Sequence, residues 1–260
     1  MARDFSYLEL NYFGPLEIEG VGHVRAPTVE EIALCKASVT EEITLYGEDA
    51  YNYYLELLII NRAKLLERYA SSLEESSLQE LDKLSLFTVL TIIPEVRDQL
   101  TESLNFFFEE EVVFDYEEGV YRLFVNYSDE VGQINDGNFI EVKSLILKRC
   151  HIKPPKSAEG KRRSKRMIEF DKKIEAGRKK SRKWNDEQKS MELGNIVSKV
   201  AARSNAADIN DVYTWTIYQL YEQFGEINYA IQIDTIMKRW STWGKDDYDF
   251  SSWYQSRSSE

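Results

Sequence analysis

Between residues 48 and 70 the apolar positions fall three and four apart, at Tyr51, Tyr54, Leu55, Leu58, Ile59, Leu65, Leu66 and Tyr69, with Arg62 adding its stem. That spacing draws one stripe along an amphipathic helix and predicts a single helix over 48–70. Two further helical stretches, 77–92 and 95–109, are predicted on either side of Pro94, which lacks an N–H and favours the first turn of a new helix. The first is apolar on several faces and should lie at the centre of its module. Period-two segments, Phe5–Leu10, Leu16–Glu19 and Val21–Arg25, are punctuated by Gly14-Pro15, Gly20, Gly22 and Pro27 and predict a small β-meander. Thr28 with Glu31 three positions on forms a capping box, which starts a helix over 28–38. Residues 111–116 and 120–127, rich in β-branched and aromatic side chains around Glu117-Glu118-Gly119, predict a β-hairpin. Asn138 is expected to cap a helix over 139–150, and Pro154-Pro155 closes the module.

Beyond Trp184 the helical period returns. Leu193, Ile196, Val197, Val200 and Ala201 mark one helix ending near Ser204. Asp208 or Asn210 caps a second, which runs from Ile209 through Val212, Ile217 and Leu220 to Phe224. Gly225 should break it, and Tyr229, Ile233, Ile236, Met237 and Trp240 mark a last helix returning across it. The predicted fold class is therefore α+β, mainly α: an N-terminal helical module with a small β-meander and a β-hairpin, a basic linker helix, and a small C-terminal helical module.

Charge places the boundaries. Residues 1–157 carry a net −15, residues 158–183 a net +8 and residues 184–260 a net −5, within a chain total of −12. The division is an acidic α+β module (1–157), a basic helical linker (158–183) and a C-terminal helical module with an aromatic tail (184–260). An acidic body repels phosphate backbones and anionic membranes, so any nucleic-acid role falls to the middle segment. Its apolar line of Met167, Phe170 and Ile174 is too thin to seat a helix in a large core. Its cations, Arg162, Arg163, Lys165, Arg166, Lys179 and Lys180 among them, can contact an acidic partner or nucleic acid, or can simply offset repulsion between two acidic modules. No aromatic ladder interleaves them, as a single-strand stacking groove would require.

Two cysteines, Cys35 and Cys150, lack partner spacing and read as buried, reduced thiols. The two histidines, His23 and His151, read as surface or capping residues, and Cys150 and His151 point about 100° apart on a helix. Phosphate-loop patterns are absent from the sequence, and Glu109-Glu110-Glu111 reads as a solvated charge run. The expectation is a non-catalytic protein with no cofactor and no metal site. No apolar run of 18 or more residues occurs, and the N-terminus shows no hydrophobic leader, so an intracellular location is expected. The C-terminal aromatics exceed what two short helices can bury. Trp215, Tyr218, Trp240, Trp243, Phe250, Trp253 and Tyr254 therefore form the candidate partner-binding set, with folding back onto the helical hairpin as the alternative.

Three stretches carry a resemblance. Pro27–Ile32 followed by Leu45–Leu58, Leu104–Phe108 before Val113-Phe114-Asp115, and Val212–Phe224 resemble tail-assembly proteins of bacteriophages that infect Gram-positive bacteria. The resemblance implies a tail assembly chaperone or tail accessory protein in the host cytoplasm. Its partners would be the tape-measure protein and tail-tube subunits during tail morphogenesis. It offers no catalytic motif to carry over. The alternative is a nucleic-acid-binding phage regulatory protein acting through the basic segment.

Overall fold

A computed structural model describes residues 4–40, 42–69, 75–155, 192–204 and 207–244, with the side chains of residues 75, 76 and 243 outside that description. The fold is α+β and mainly helical. The basic segment 158–183, with Arg162, Arg163, Lys165, Arg166, Lys179 and Lys180, lies outside the described residues, as does the tail with Phe250, Trp253 and Tyr254.

The chain opens with a short helix where a strand was expected. Ser6 and Glu9 form a capping box that starts α1 (Tyr7–Asn11), and this local pairing of side chain with backbone overrides the alternation of Phe5–Leu10. The two remaining segments of the expected meander do form strands, β1 (Leu16–Ile18) and β2 (Gly22–Val24), paired antiparallel. Thr28 and Glu31 cap α2 (Val29–Leu34) as predicted, with Glu31 N–H donating to Thr28 Oγ1 at 3.1 Å. The helix stops four residues early, because Cys35 is extended and leads into a second hairpin, β3 (Lys36–Ser38) with β4 (Thr44–Tyr46).

The stripe over 48–70 is two helices, α3 (Glu48–Ile59) and α4 (Arg62–Tyr69). Ile60 is extended, and Asn61 Oδ1 accepts from Lys64 N–H at 2.9 Å, so a polar residue read as helix interior acts as a cap. The same happens within 77–92. There α5 (Glu75–Leu81) ends, and Ser85 caps α6 (Leu86–Ile92) by accepting from Thr88 N–H at 3.1 Å. Pro94 opens α7 (Pro94–Phe107) at its first turn, as expected.

The hairpin over 111–127 is present as β5 (Glu111–Asp115) and β6 (Val120–Val125), turned at Gly119 with φ 68°. A third strand, β7 (Asp129–Ile134), extends the antiparallel sheet in the order β5-β6-β7. It follows a tight turn in which Asn126 and Tyr127 both take positive φ, a conformation that usually selects glycine. A Cβ at Gly132 would lie 2.4 Å from the carbonyl oxygen of Val21, so this glycine is what lets the β1–β2 turn rest on β7. Asn138 precedes α8 (Phe139–Arg149) but does not cap it with its side chain. Its amide instead accepts from Asn135 N–H and donates to the carbonyl of Gln133.

In the C-terminal part, α9 (Leu193–Arg203) ends at Ser204 as expected. The helix predicted over 209–224 breaks: Asp208 caps α10 (Ile209–Tyr213), and Thr216 caps a new helix, α11 (Ile217–Trp243). Gly225 does not end α11, which runs for 27 residues, about 40 Å. The expected helical hairpin at Gly225 is therefore a single long helix, since one glycine costs a helix only about 1 kcal/mol and tertiary packing exceeds that.

One hydrophobic cluster joins the parts. It runs from Phe5 and Val24 through Leu57, Leu90, Leu104 and Phe139 to Ile196, Val200, Val212, Ile217 and Leu220. Backbone bonds stitch the same seam, with Val29 N–H donating to the carbonyl of Trp215 and Ile217 N–H to that of Pro27, both at 2.9 Å. Thus the caps of α2 and α11, Thr28 and Thr216, meet in an antiparallel bridge.

Candidate interaction site

The site is built around α1, which rests across the ends of α8 and α11. Arg149, at the last turn of α8, is wholly buried and bonds no carboxylate among the described residues. Its guanidinium donates instead to the carbonyls of Glu9 (3.3 Å), Leu10 (3.1 Å), Tyr12 (2.5 Å) and Gly14 (2.6 Å). These include carbonyls left unsatisfied at the end of α1, and they supply the negative dipole ends that a buried cation needs. Burial pulls the Arg149 guanidinium down to about 10, which leaves it charged at neutral pH.

Immediately after Arg149 and Cys150, α8 ends in a Schellman motif. Ile152 N–H donates to the carbonyl of Leu147 and His151 N–H to that of Lys148, which puts His151 at φ 57° where glycine is usual. The unusual backbone aims the imidazole across the seam. His151 Nε2 lies 2.8 Å from Glu222 Oε1, and the ring stacks on Tyr221 at 5.7 Å and meets Tyr218 edge-on at 5.4 Å. From the other side Tyr7 Oη donates to Glu222 Oε2 at 3.0 Å, and Lys148 Nζ donates to Asp4 at 2.9 Å. Together these residues line a cleft of about 640 Å³ with Phe5, Leu10, Ile152 and Pro154.

Electrostatics in and around the cleft favour binding over bond-making. Burial raises the phenols of Tyr7 and Tyr221 and pushes that of Tyr218 up to about 12, while Cys150 is likewise raised to about 12. Each is held in its protonated form, as a hydrogen-bond donor and not a nucleophile. Lys143 is lowered to about 8 by burial, but its Nζ is committed to the carbonyl of Ile60 at 2.7 Å, where it satisfies the break between α3 and α4. Among the described residues no group of three or more His, Cys, Asp or Glu side chains is placed to hold a metal ion.

The surroundings of His23 correct one expectation. Glu110, read as part of a solvated run, is buried, and its carboxylate accepts from the His23 backbone N–H and lies 2.6 Å from His23 Nδ1. The His23 side chain is 45% exposed, a surface histidine as expected, and its pKa is raised chiefly by that hydrogen bond. Cys35 and Cys150 are buried free thiols, as predicted.

Of the aromatic set, Tyr218 is 6% exposed and belongs to the cleft wall, and Trp215 packs half-buried against the core while its carbonyl holds α2. Trp240 is 40% exposed on the outer half of α11, where the backbone of Trp243 ends the helix. The core cluster ends at Phe224, with Ile227 packed against it, whereas α11 continues for four more turns. Sequence reasoning missed the Arg149–α1 clasp and the Tyr7–Glu222–His151 relay. Both join residues more than 70 positions apart, and only Ser6 with Glu9 left a local trace.

A family model described as the YomV second domain matches residues 183–257, less than a third of the chain. In that stretch, which contains α9, α10 and α11, the chain is similar to a bacteriophage-associated domain. No curated protein and no solved structure matches the chain. No helix among the described residues is long and apolar enough to cross a membrane.

Proposed function

We propose that the protein is a non-catalytic binding protein of phage morphogenesis, a tail assembly chaperone that holds the tape-measure protein or tail-tube subunits in the host cytoplasm. The observation that carries this reading is the outer half of α11. It continues past the core cluster as helix within the phage-similar stretch and presents Ile231, Ile236 and Trp240 exposed around the buried Ile233. Apolar and aromatic side chains on a preordered helix are the anchors of helix-mediated recognition, because little entropy is lost when they dock. Trp243 and the tail residues Phe250, Trp253 and Tyr254 would extend this contact, and Trp215 and Tyr218 would support it from the core side. The cations Arg162, Arg163, Lys165, Arg166, Lys179 and Lys180 would act as an electrostatic latch. The raised phenols and thiols support a binding role and offer no nucleophile.

The test is co-expression of the tagged chain with the tape-measure and tail-tube proteins of the same phage. Capture of one of them, lost in an Ile236→Asp/Trp240→Asp variant that stays folded, is the expected result. Recovery of neither protein overturns it. Steeply salt-dependent binding of nucleic acid, abolished by charge reversal at Arg162, Arg163, Lys165 and Arg166, would replace it with a regulatory role.

A further inference from the structure

The residues that Arg149 clasps from below carry an apolar surface above. On α1 and the turn after it, Leu8 is 78% exposed, Phe13 is 73% exposed and Tyr12 is 49% exposed. Tyr12 and Phe13 pack ring to ring at 4.9 Å, and a Cβ at Gly14 would lie 2.4 Å from the Tyr12 ring, so that ring sits directly on the backbone. Gln219 of α11 donates to the carbonyl of Asn11 at 2.9 Å and closes one end of a groove of about 400 Å³ that these three side chains border. Exposed side chains on a mobile loop would lose entropy on binding. These stand on a segment held by four carbonyl bonds from one buried guanidinium, so their cost of ordering is already met within the fold.

Charge says what the surface takes. From Asp4 to Gly22 the chain has no lysine or arginine; of its four carboxylates Asp4 pairs with Lys148 and Glu9 closes the capping box with Ser6, which leaves Glu17 and Glu19. Glu17 and Glu19 are exposed on the β1–β2 hairpin that follows the patch, and Arg149 beneath it is sealed from solvent. An apolar platform followed directly in the chain by two exposed carboxylates complements a helix with one apolar face and lysine or arginine on its flanks.

We propose that Leu8, Tyr12 and Phe13 form a docking surface for a basic amphipathic helix of a separate protein. The surface is distinct from the outer half of α11, and its test does not depend on the tail-assembly reading. A fluorescently labelled synthetic helix of leucine and lysine, with its leucine/glutamate counterpart as control, is titrated with the full chain and followed by anisotropy. The leucine/lysine helix binds and the leucine/glutamate helix does not. Leu8→Ser with Phe13→Ser weakens binding about tenfold, as loss of a central apolar anchor does. Leu34→Ser with Tyr46→Ser, an equally exposed pair elsewhere, changes it less than about twofold, the scale of peripheral contacts. Glu17→Lys with Glu19→Lys weakens binding and flattens its salt dependence. Circular dichroism melts check that each variant is folded, and Phe13→Ser alone gives the same reading should the pair unfold. Absence of binding, equal binding of the acidic helix, or retained affinity in both patch variants overturns the proposal. So does sedimentation as a dimer that the patch substitutions dissociate, which would make the occupant a second copy.

Discussion

At the scale of single residues, two buried cations differ in how many carbonyls hold them. Arg149 meets four carbonyls, of which that of Glu9 also accepts from Tyr12 N–H, so Arg149→Met strips a donor from the other three in a dry site while losing one charge. Each unsatisfied buried acceptor costs about 1–3 kcal/mol, and the net loss in unfolding free energy should be about 3 kcal/mol or more, read from the urea midpoint. Lys143 meets one carbonyl, that of Ile60, and is lowered from its ordinary value to about 8 by burial alone. Because the folded state releases the proton more readily than the unfolded state does, the unfolded chain binds more protons between about pH 8 and the ordinary lysine value. Stability from this group therefore rises with pH across that window, by on the order of 3 kcal/mol. The buried tyrosines and cysteines titrate in the opposite sense at high pH, so the quantity to measure is the difference between the native chain and Lys143→Met. That difference should move in favour of the native chain from pH 7 to above pH 10, and a flat difference would show that Lys143 keeps its proton.

At the scale of elements, Thr216 is the most demanding cap. It is buried, accepts from Gln219 N–H at 3.2 Å to start α11, and sits in the bridge opposite Thr28, the cap of α2. Thr216→Ala should lower stability by about 1–2 kcal/mol, the upper range for a cap, and thermal unfolding will report it. Gly194 makes the contrasting case. A Cβ there meets nothing within 4 Å in the first turn of α9, so Gly194→Ala should raise stability by about 0.5–1 kcal/mol. These two positions also show what was legible beforehand. Capping boxes that begin an apolar stripe, such as Thr28 with Glu31, were readable because the signal is local. Caps inside a continuing stripe, at Asn61, Ser85 and Thr216, were not, because two helices that bury the same face keep one period across the break. The α1 helix was lost to the alternation of Phe5–Leu10, and β7 to its polar, charged sequence, Asp129–Ile134. Of the candidate site, Tyr218 and Trp240 were picked out by composition. The clasp and the relay were invisible, because hydrogen bonds between distant side chains leave no periodicity.

At the scale of the whole molecule, the two acidic segments expected to be separate modules share a core. Ile196, Val200, Ile217 and Leu220 are buried in the same cluster as Leu58, Leu104 and Ile146. Leu193 N–H donates to Glu48 across that seam, and Glu222 joins Tyr7 and His151. If the residues after 192 formed an independent unit, their removal would leave the rest intact. The packing predicts otherwise: without them, a face containing Val29, the Trp215-bonded start of α2 and the cleft at His151 is opened to water. Apolar surface exposed in this way is worth roughly 25 cal/mol per Å², so a few hundred Å² removes much of the 5–15 kcal/mol typical of a domain. The full chain should therefore melt in one calorimetric transition, with calorimetric and van't Hoff enthalpies in agreement. A chain ending at residue 155 should lose the sharp transition and bind a hydrophobic dye. Two resolved transitions in the full chain, or a sharply melting chain ending at residue 155, would instead make the shared core a contact between independently stable units, and α11 would then be free to dock and release as a body of its own.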